Sequence, residues 1–211
     1  MKLAILDRDG TLNLPGDGYI ASPDEWIVLP GALEAVARLN RAGWRVVLAC
    51  NQPGLGRGLF DVTVLNAIHA KMYRQLAALG ARIDAVFFCP HAPQDACDCC
   101  LPRPALLAQI CERYGVEAPQ LLVAGASAAL LEAASALGVR ALHCVAANAP
   151  HADLPAGTQV HASLAAMVEQ VLQEAQPPLA AATPGARDAP VPTEAPLPLP
   201  VAPTPGAPHA A

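Results

Sequence analysis

Short apolar runs alternate with amphipathic patterns of helical period along roughly the first 175 residues, and this alternation leaves few folds open. Leu3 to Leu6 reads as a buried strand. Pro30-Gly31 then opens a helix to about Ala42, with Leu33, Val36 and Leu39 at helical spacing. Trp44 to Cys50 is a second strand, and Asp61 to Gly80 an amphipathic helix that stops at a glycine. Ile83 to Cys89, Leu121 to Ala124 and Arg140 to Ala146 are further strands. Pro104 to Tyr114, Ala128 to Leu137 and about Ala162 to Glu174 are the remaining helices. Strands that each feed a helix require a parallel sheet covered on both faces. The expected fold is a doubly wound α/β domain over residues 1–175.

From Gln176 onward the character changes. Eleven of the last 36 residues are proline and no apolar periodicity survives, so this segment cannot bury enough surface to offset its ordering entropy. Residues 176–211 are expected to form a disordered, extended tail. Pro196 to Pro200 (PLPLP) is a conceivable protein-docking segment, although an unselective tail is the simpler expectation. No apolar run approaches the roughly 18 residues of a membrane span. Met1-Lys2-Leu3 leads straight into a strand, without a signal-peptide pattern. A net charge of −5 without a basic cluster argues against nucleic-acid binding. A cytoplasmic location is the resulting expectation.

Chemistry concentrates at three strand ends. The first strand runs into Asp7-Arg8-Asp9-Gly10-Thr11, where alternation puts Asp7 and Asp9 on one side, Gly10 allows a turn, and Thr11 can bond back to the loop. The second ends in Cys50-Asn51-Gln52-Pro53-Gly54-Leu55-Gly56-Arg57-Gly58, a glycine-rich turn offering N–H groups to an anion. After the third, Cys89, His91, Cys97 and Cys99 place three thiols and an imidazole within eleven residues. Cys3His is a closed tetrahedral zinc set, with Cys100 a competing ligand.

Together these residues resemble the haloacid dehalogenase (HAD) phosphohydrolases, and within them the heptose bisphosphate phosphatases, which carry a related zinc loop. Gly18-Tyr19-Ile20 and Arg57-Gly58 favour this branch over the histidinol-phosphate phosphatases. The resemblance implies Asp7 as nucleophile and Asp9 as general acid and base, with both on a catalytic Mg²⁺. It implies Thr11, Asn51, Gln52, Arg57 and Arg103 around the substrate, and Cys89, His91, Cys97 and Cys99 on a structural Zn²⁺. The implied substrate is a phosphorylated sugar, D-glycero-D-manno-heptose 1,7-bisphosphate, which loses its 7-phosphate to supply lipopolysaccharide core.

Two departures from the family pattern count against efficient turnover. The lysine expected after Cys100 is Leu101, with the cationic Arg103 two positions on. The acids expected after Gly125 are Ala126 and Leu130, and Glu132 is about 200° round the helix from position 130. Losing such groups costs roughly 10³–10⁶ in rate. Three functions therefore stand as expectations: an impaired phosphatase, a pseudophosphatase that binds sugar phosphate or a protein partner, or a histidinol-phosphate phosphatase.

Overall fold

The computed structural model describes residues 1–145 and 154–175. The expected tail over 176–211 lies outside the described residues. The strands are β1 (Lys2–Leu6), β2 (Trp44–Asn51), β3 (Ala85–Cys89), β4 (Leu121–Gly125), β5 (Ala141–Cys144) and β6 (Gln159–Val160). The α-helices are α1 (Ala32–Arg41), α2 (Pro53–Gly56), α3 (Val62–Ala78), α4 (Ala105–Tyr114), α5 (Ala128–Leu137) and α6 (Leu164–Glu174). The strands form one sheet in the order β3-β2-β1-β4-β5-β6, and every pairing in it is parallel.

Alternation along each strand builds two cores. In β1, Ala4 and Leu6 join Leu33, Val36, Ile68, Met72, Met167 and Val168, from α1, α3 and α6. Leu3 and Ile5 face the other way, onto Leu106, Leu107 and Ile110 of α4 and Leu130 and Leu131 of α5. β1 is therefore apolar at every position beyond Lys2, as a central parallel strand must be.

This order puts a topological switch between β1 and β4: the chain winds outward from β1 through β2 to β3, then crosses to β4 on the other flank. Open α/β sheets bind ligands outside the carboxyl ends of the strands at such a switch. Asp7 follows β1 directly, and Gly125 ends β4.

The sequence missed four short elements, two of them the 3-10 turns Pro23–Glu25 and Ala118–Gln120. Pro53–Gly56 is a single helical turn, and Gln159–Val160 pairs with His143 and Cys144. All four are too short to carry periodicity. The third strand begins at Ala85 rather than Ile83, and Asp61 caps α3 by accepting from Val64 N–H at 2.9 Å. Among the described residues no helix is long and apolar enough to cross a membrane.

Candidate active site and metal loop

Asp7 extends the β1 ladder by one residue, donating its N–H to Ala124 O at 3.1 Å. The chain then turns. Leu12 N–H donates to Arg8 O at 2.9 Å, and Gly10 has φ +80°, a backbone conformation that suits glycine. Asp7 is buried, and its side chain crowds the end of β4: a Cβ on Gly125 would lie 2.7 Å from Asp7 Cβ. Burial, then the negative charge of Asp9, pushes the Asp7 carboxyl up to about 7, against the Arg8 N–H, the Arg8 charge and the Ser127 backbone.

Arg8, the residue between the two acids, is fully buried. Its guanidinium forks onto Asp9, with Nε to Oδ1 at 3.0 Å and Nη2 to Oδ2 at 2.9 Å. Nη2 also reaches Gln52 Oε1 at 3.2 Å, and Nη1 meets His69 Nε2 at 3.2 Å. His69 is pushed down to about 4 by burial and by the guanidinium, so it is neutral and accepts on Nε2. Asn13 Nδ2 adds a bond to Asp9 Oδ1 at 2.9 Å. The sequence alone assigned no role to Arg8, Asn13 or His69. His69 had a signal: with Leu65, Met72 and Leu76 it lies on the buried stripe of α3.

The expected substrate residues divide. Thr11 Oγ1 accepts from Ala126 N–H at 2.9 Å, tying the turn after β1 to the end of β4. Gln52 is buried beneath Arg8, with Nε2 donating to Cys50 Sγ at 3.5 Å. Burial pushes the Cys50 thiol up to about 12, so it stays protonated. Asn51 spends its carboxamide on the backbone of Leu101, accepting from N–H and donating to C=O, each at 3.0 Å. Arg57 is exposed on the turn after α2. Arg103, also exposed, donates from Nη1 to the carbonyl of Cys97.

Where the sequence lacks the expected lysine and acids, the structure is apolar. Leu101 is buried against the α4–α5 core, and Leu130 is fully buried in it. Glu132 is exposed, so it does not take the place of an acid at 130. The switch point thus holds one buried acid from β1, and only Ala126 and Leu130 from the β4 side.

The cysteine loop converges. Sγ of Cys89, Cys97 and Cys99 and a ring nitrogen of His91 lie within 4.8 Å of one another. Cys89 Sγ is 3.6 Å from Cys97 Sγ and 3.3 Å from Cys99 Sγ, and His91 Nδ1 is 3.5 Å and 3.3 Å from Cys89 and Cys99. A tetrahedral ion with Zn–S bonds of about 2.3 Å has ligand atoms roughly 3.5–3.8 Å apart, so this donor set fits zinc.

The chain is similar to known proteins over most of its length. The D-glycero-beta-D-manno-heptose-1,7-bisphosphate 7-phosphatase of Bordetella bronchiseptica is 49% identical over 179 residues, which cover 83% of this chain and 100% of the relative. The chain belongs to the heptose bisphosphate phosphatase family. A second relative of that name, from Pseudomonas aeruginosa, is 42% identical over 82% of this chain and 98% of its own. The crystal structure of the B. bronchiseptica D,D-heptose 1,7-bisphosphate phosphatase, complexed with magnesium and phosphate, superposes with a TM-score of 0.78 at 48% identity. It covers 83% of this chain and 100% of its own. No family model matches the chain. The fold is HAD-like, and the match to the heptose bisphosphate phosphatases covers about five-sixths of the chain.

Proposed function

We propose that this chain recognises a phosphorylated heptose, of the 1,7-bisphosphate kind named for its relatives, and hydrolyses it slowly. The observation that carries this reading is the intact acid pair at the switch point, with Asp7 buried at the end of β1 and Asp9 held in a guanidinium fork. In this reading Asp7 Oδ attacks phosphorus and the P–O bond to the sugar breaks. Asp9, ionised in the Arg8 fork, first takes up a proton from solvent on a carboxylate oxygen freed from that fork, and delivers it to the departing sugar oxygen. It then takes one from the water that displaces Asp7 in cleaving the aspartyl phosphate. Arg57, the exposed cation on the turn after β2, meets the anionic substrate. Thr11, Asn51, Gln52 and Arg103 act from behind, through the contacts they make with Ala126, Leu101, Arg8 and Cys97.

The residues present fit magnesium poorly. Mg²⁺ takes six oxygens in near-octahedral geometry, and the chain offers the Asp7 carboxylate and the Asp9 carbonyl, with Ala126 and Leu130 opposite. Magnesium supplies charge neutralisation in phosphoryl transfer, and without a firm site much of that stabilisation is lost. Zinc is the better match, as a structural ion on Cys89, His91, Cys97 and Cys99.

A second reading, binding without turnover, is favoured by the protonation of Asp7. Burial and the charge of Asp9 push the Asp7 carboxyl up to about 7, which favours its neutral form and weakens it as a nucleophile. Phosphate release from D-glycero-D-manno-heptose 1,7-bisphosphate, measured with and without Mg²⁺, separates the two. Release abolished by Asp7→Asn supports slow hydrolysis. Ligand-induced thermal stabilisation that persists in EDTA, without release, supports the binder. Neither release nor stabilisation with this sugar, but activity on histidinol phosphate, would overturn the heptose assignment.

A further inference from the structure

Asn51 was expected to touch substrate phosphate, yet its carboxamide is engaged elsewhere. Oδ1 accepts from Leu101 N–H and Nδ2 donates to Leu101 O, each at 3.0 Å, so one side chain pairs with both backbone groups of one residue. The next residue, Gln52, donates its N–H to Cys89 O at 2.8 Å. Residues 51 and 52 therefore grip both ends of the segment Cys89–Leu101, which contains all four clustered metal-ligand candidates. A third tie lies further along. A Cβ on Gly56 would stand 2.3 Å from Ala92 N and 2.7 Å from His91 C, so the turn before Arg57 packs backbone to backbone against the cysteine loop. Arg103 closes the other flank through Cys97 O.

We infer that Asn51 is a positioning residue that closes the neck of the cysteine loop and fixes residue 101 against the end of β2. Three features support this over direct phosphate binding. Both functional ends of the carboxamide are committed, leaving one amide hydrogen. Residue 101 has no side-chain polar group to hold it, and its side chain is buried against the α4–α5 core. The loop between the two ends is otherwise short of core residues, with Asp95, Asp98, Cys97 and Cys99 all outside the apolar interior or only partly buried. A loop with so little burial of its own opens easily unless its ends are tied.

The inference rests on the proposed zinc reading for one of its two readouts only. Amide hydrogen exchange over residues 97–107 and zinc release to a chromogenic chelator are compared in the full chain for wild type, Asn51→Ala and Asn51→Asp. Two lost hydrogen bonds of ordinary strength correspond to roughly ten- to a hundredfold faster exchange, confined to this segment, with α6 unchanged. Zinc release is expected to accelerate by a similar factor. Aspartate keeps the acceptor for Leu101 N–H but loses the donor, so it falls between wild type and alanine. If Asn51→Ala does not fold, the aspartate variant decides by the same readouts.

Unchanged exchange and zinc release in the variants would overturn the inference. If the variants also lost affinity for inorganic phosphate by calorimetry, Asn51 would be a direct phosphate ligand instead. A wild-type protein purified without zinc would overturn the zinc reading alone, and the exchange measurement would still decide the role of Asn51.

Discussion

The ends of β1 and β4 lie side by side in the same sheet and have opposite characters. After β1, the side chains of Arg8, Asp9 and Gln52 are all hydrogen-bonded, and a fully buried guanidinium binds two acceptor residues and a neutral imidazole. Asn13 Oδ1 in the same turn is buried without a partner among the described residues. After β4, the chain continues with Ala126, Ser127, Ala128, Ala129 and Leu130, and Leu130 is fully buried. The difference teaches that the fold does not depend on the chemistry at its rim. The β4 ladder, the Thr11–Ala126 bond and the α5 core are all present without an acid at positions 126 or 130. A buried leucine at position 130 of α5 in place of a carboxylate avoids the large desolvation penalty of an isolated buried charge.

The comparison breaks most visibly if the β4 side is repaired. Leu101→Lys with Ala126→Asp is expected to raise Mg²⁺-dependent phosphate release from heptose 1,7-bisphosphate by ~10³ or more, because each restored stabilising group is worth about 10²–10³ in rate. Steady-state kinetics of wild type and double variant side by side measure it. Wild-type turnover equal to that of the repaired protein would mean that charge neutralisation comes from elsewhere, and the contrast between the two strand ends would lose its functional meaning.

The next test is directed at β1. Arg8→Met leaves Asp9 beside a buried apolar side chain and removes the partner of Gln52 and His69. Removing one member of a buried ion pair costs about 3–5 kcal/mol, and the partial exposure of Asp9 brings this to about 2–4. Chemical denaturation of wild type and variant reads the loss, which for a chain of this size corresponds to a Tm fall of roughly 5–15 °C. A fall below about 1 °C would show that the network around Arg8 contributes little.

How much of this contrast could be read from sequence depends on the residue. The strands and helices longer than four residues follow from apolar periodicity, and so does the parallel sheet. The absences at 101, 126 and 130 were legible because a motif fixes which positions should be charged. Arg8 was not, since a residue between two acids at a strand end reads as a solvated spacer, and nothing local says that three other residues converge on it. Asn51 and Gln52 were legible as polar residues at a strand end, but not in where they point. The side-chain contacts of Asn51 span 50 positions in sequence and those of Gln52 with Arg8 span 44, so only the fold brings the partners together.

Asp7 sharpens the contrast through pH. Its folded-state pKa lies near 7 against 3.8 for the unmodified side chain, so between those values the native protein keeps a proton that the unfolded chain has released. Stability therefore falls as pH rises from about 4 to 7 and levels off above. Asp7→Asn, which removes the ionisation, is expected to stabilise the protein by about 2–3 kcal/mol at pH 8 and hardly at all at pH 4. Denaturant midpoints at the two pH values check this. An equal effect at both would mean that Asp7 is not desolvated, and that the β1 end is as tolerant as the β4 end.

The smallest expected effect concerns a third strand end, which is polar without belonging to the site. His143 of β5 and His161 just after β6 are both buried, with Nδ1 and Nε2 3.0 Å apart, so one ring donates to the other. Burial, then the neighbouring imidazole, pushes His143 down to about 4, and burial lowers His161, with Glu174 opposing both shifts. Here the sign is opposite to that of Asp7. The unfolded chain gains protons below pH 6.5 while burial disfavours the charged form of both native rings, most strongly at His143, so stability is lost as pH falls from 6.5 toward 4. Replacing both rings by glutamine removes this dependence, and the wild type is expected to lose about 1–2 kcal/mol more than the variant between pH 7 and pH 4.5. Parallel denaturation curves at those two pH values check it. Because the Asp7 and histidine contributions have opposite signs, stability on the acid side rises through one and falls through the other. Only the paired variants, measured at the same pH values, assign each slope to its own strand end.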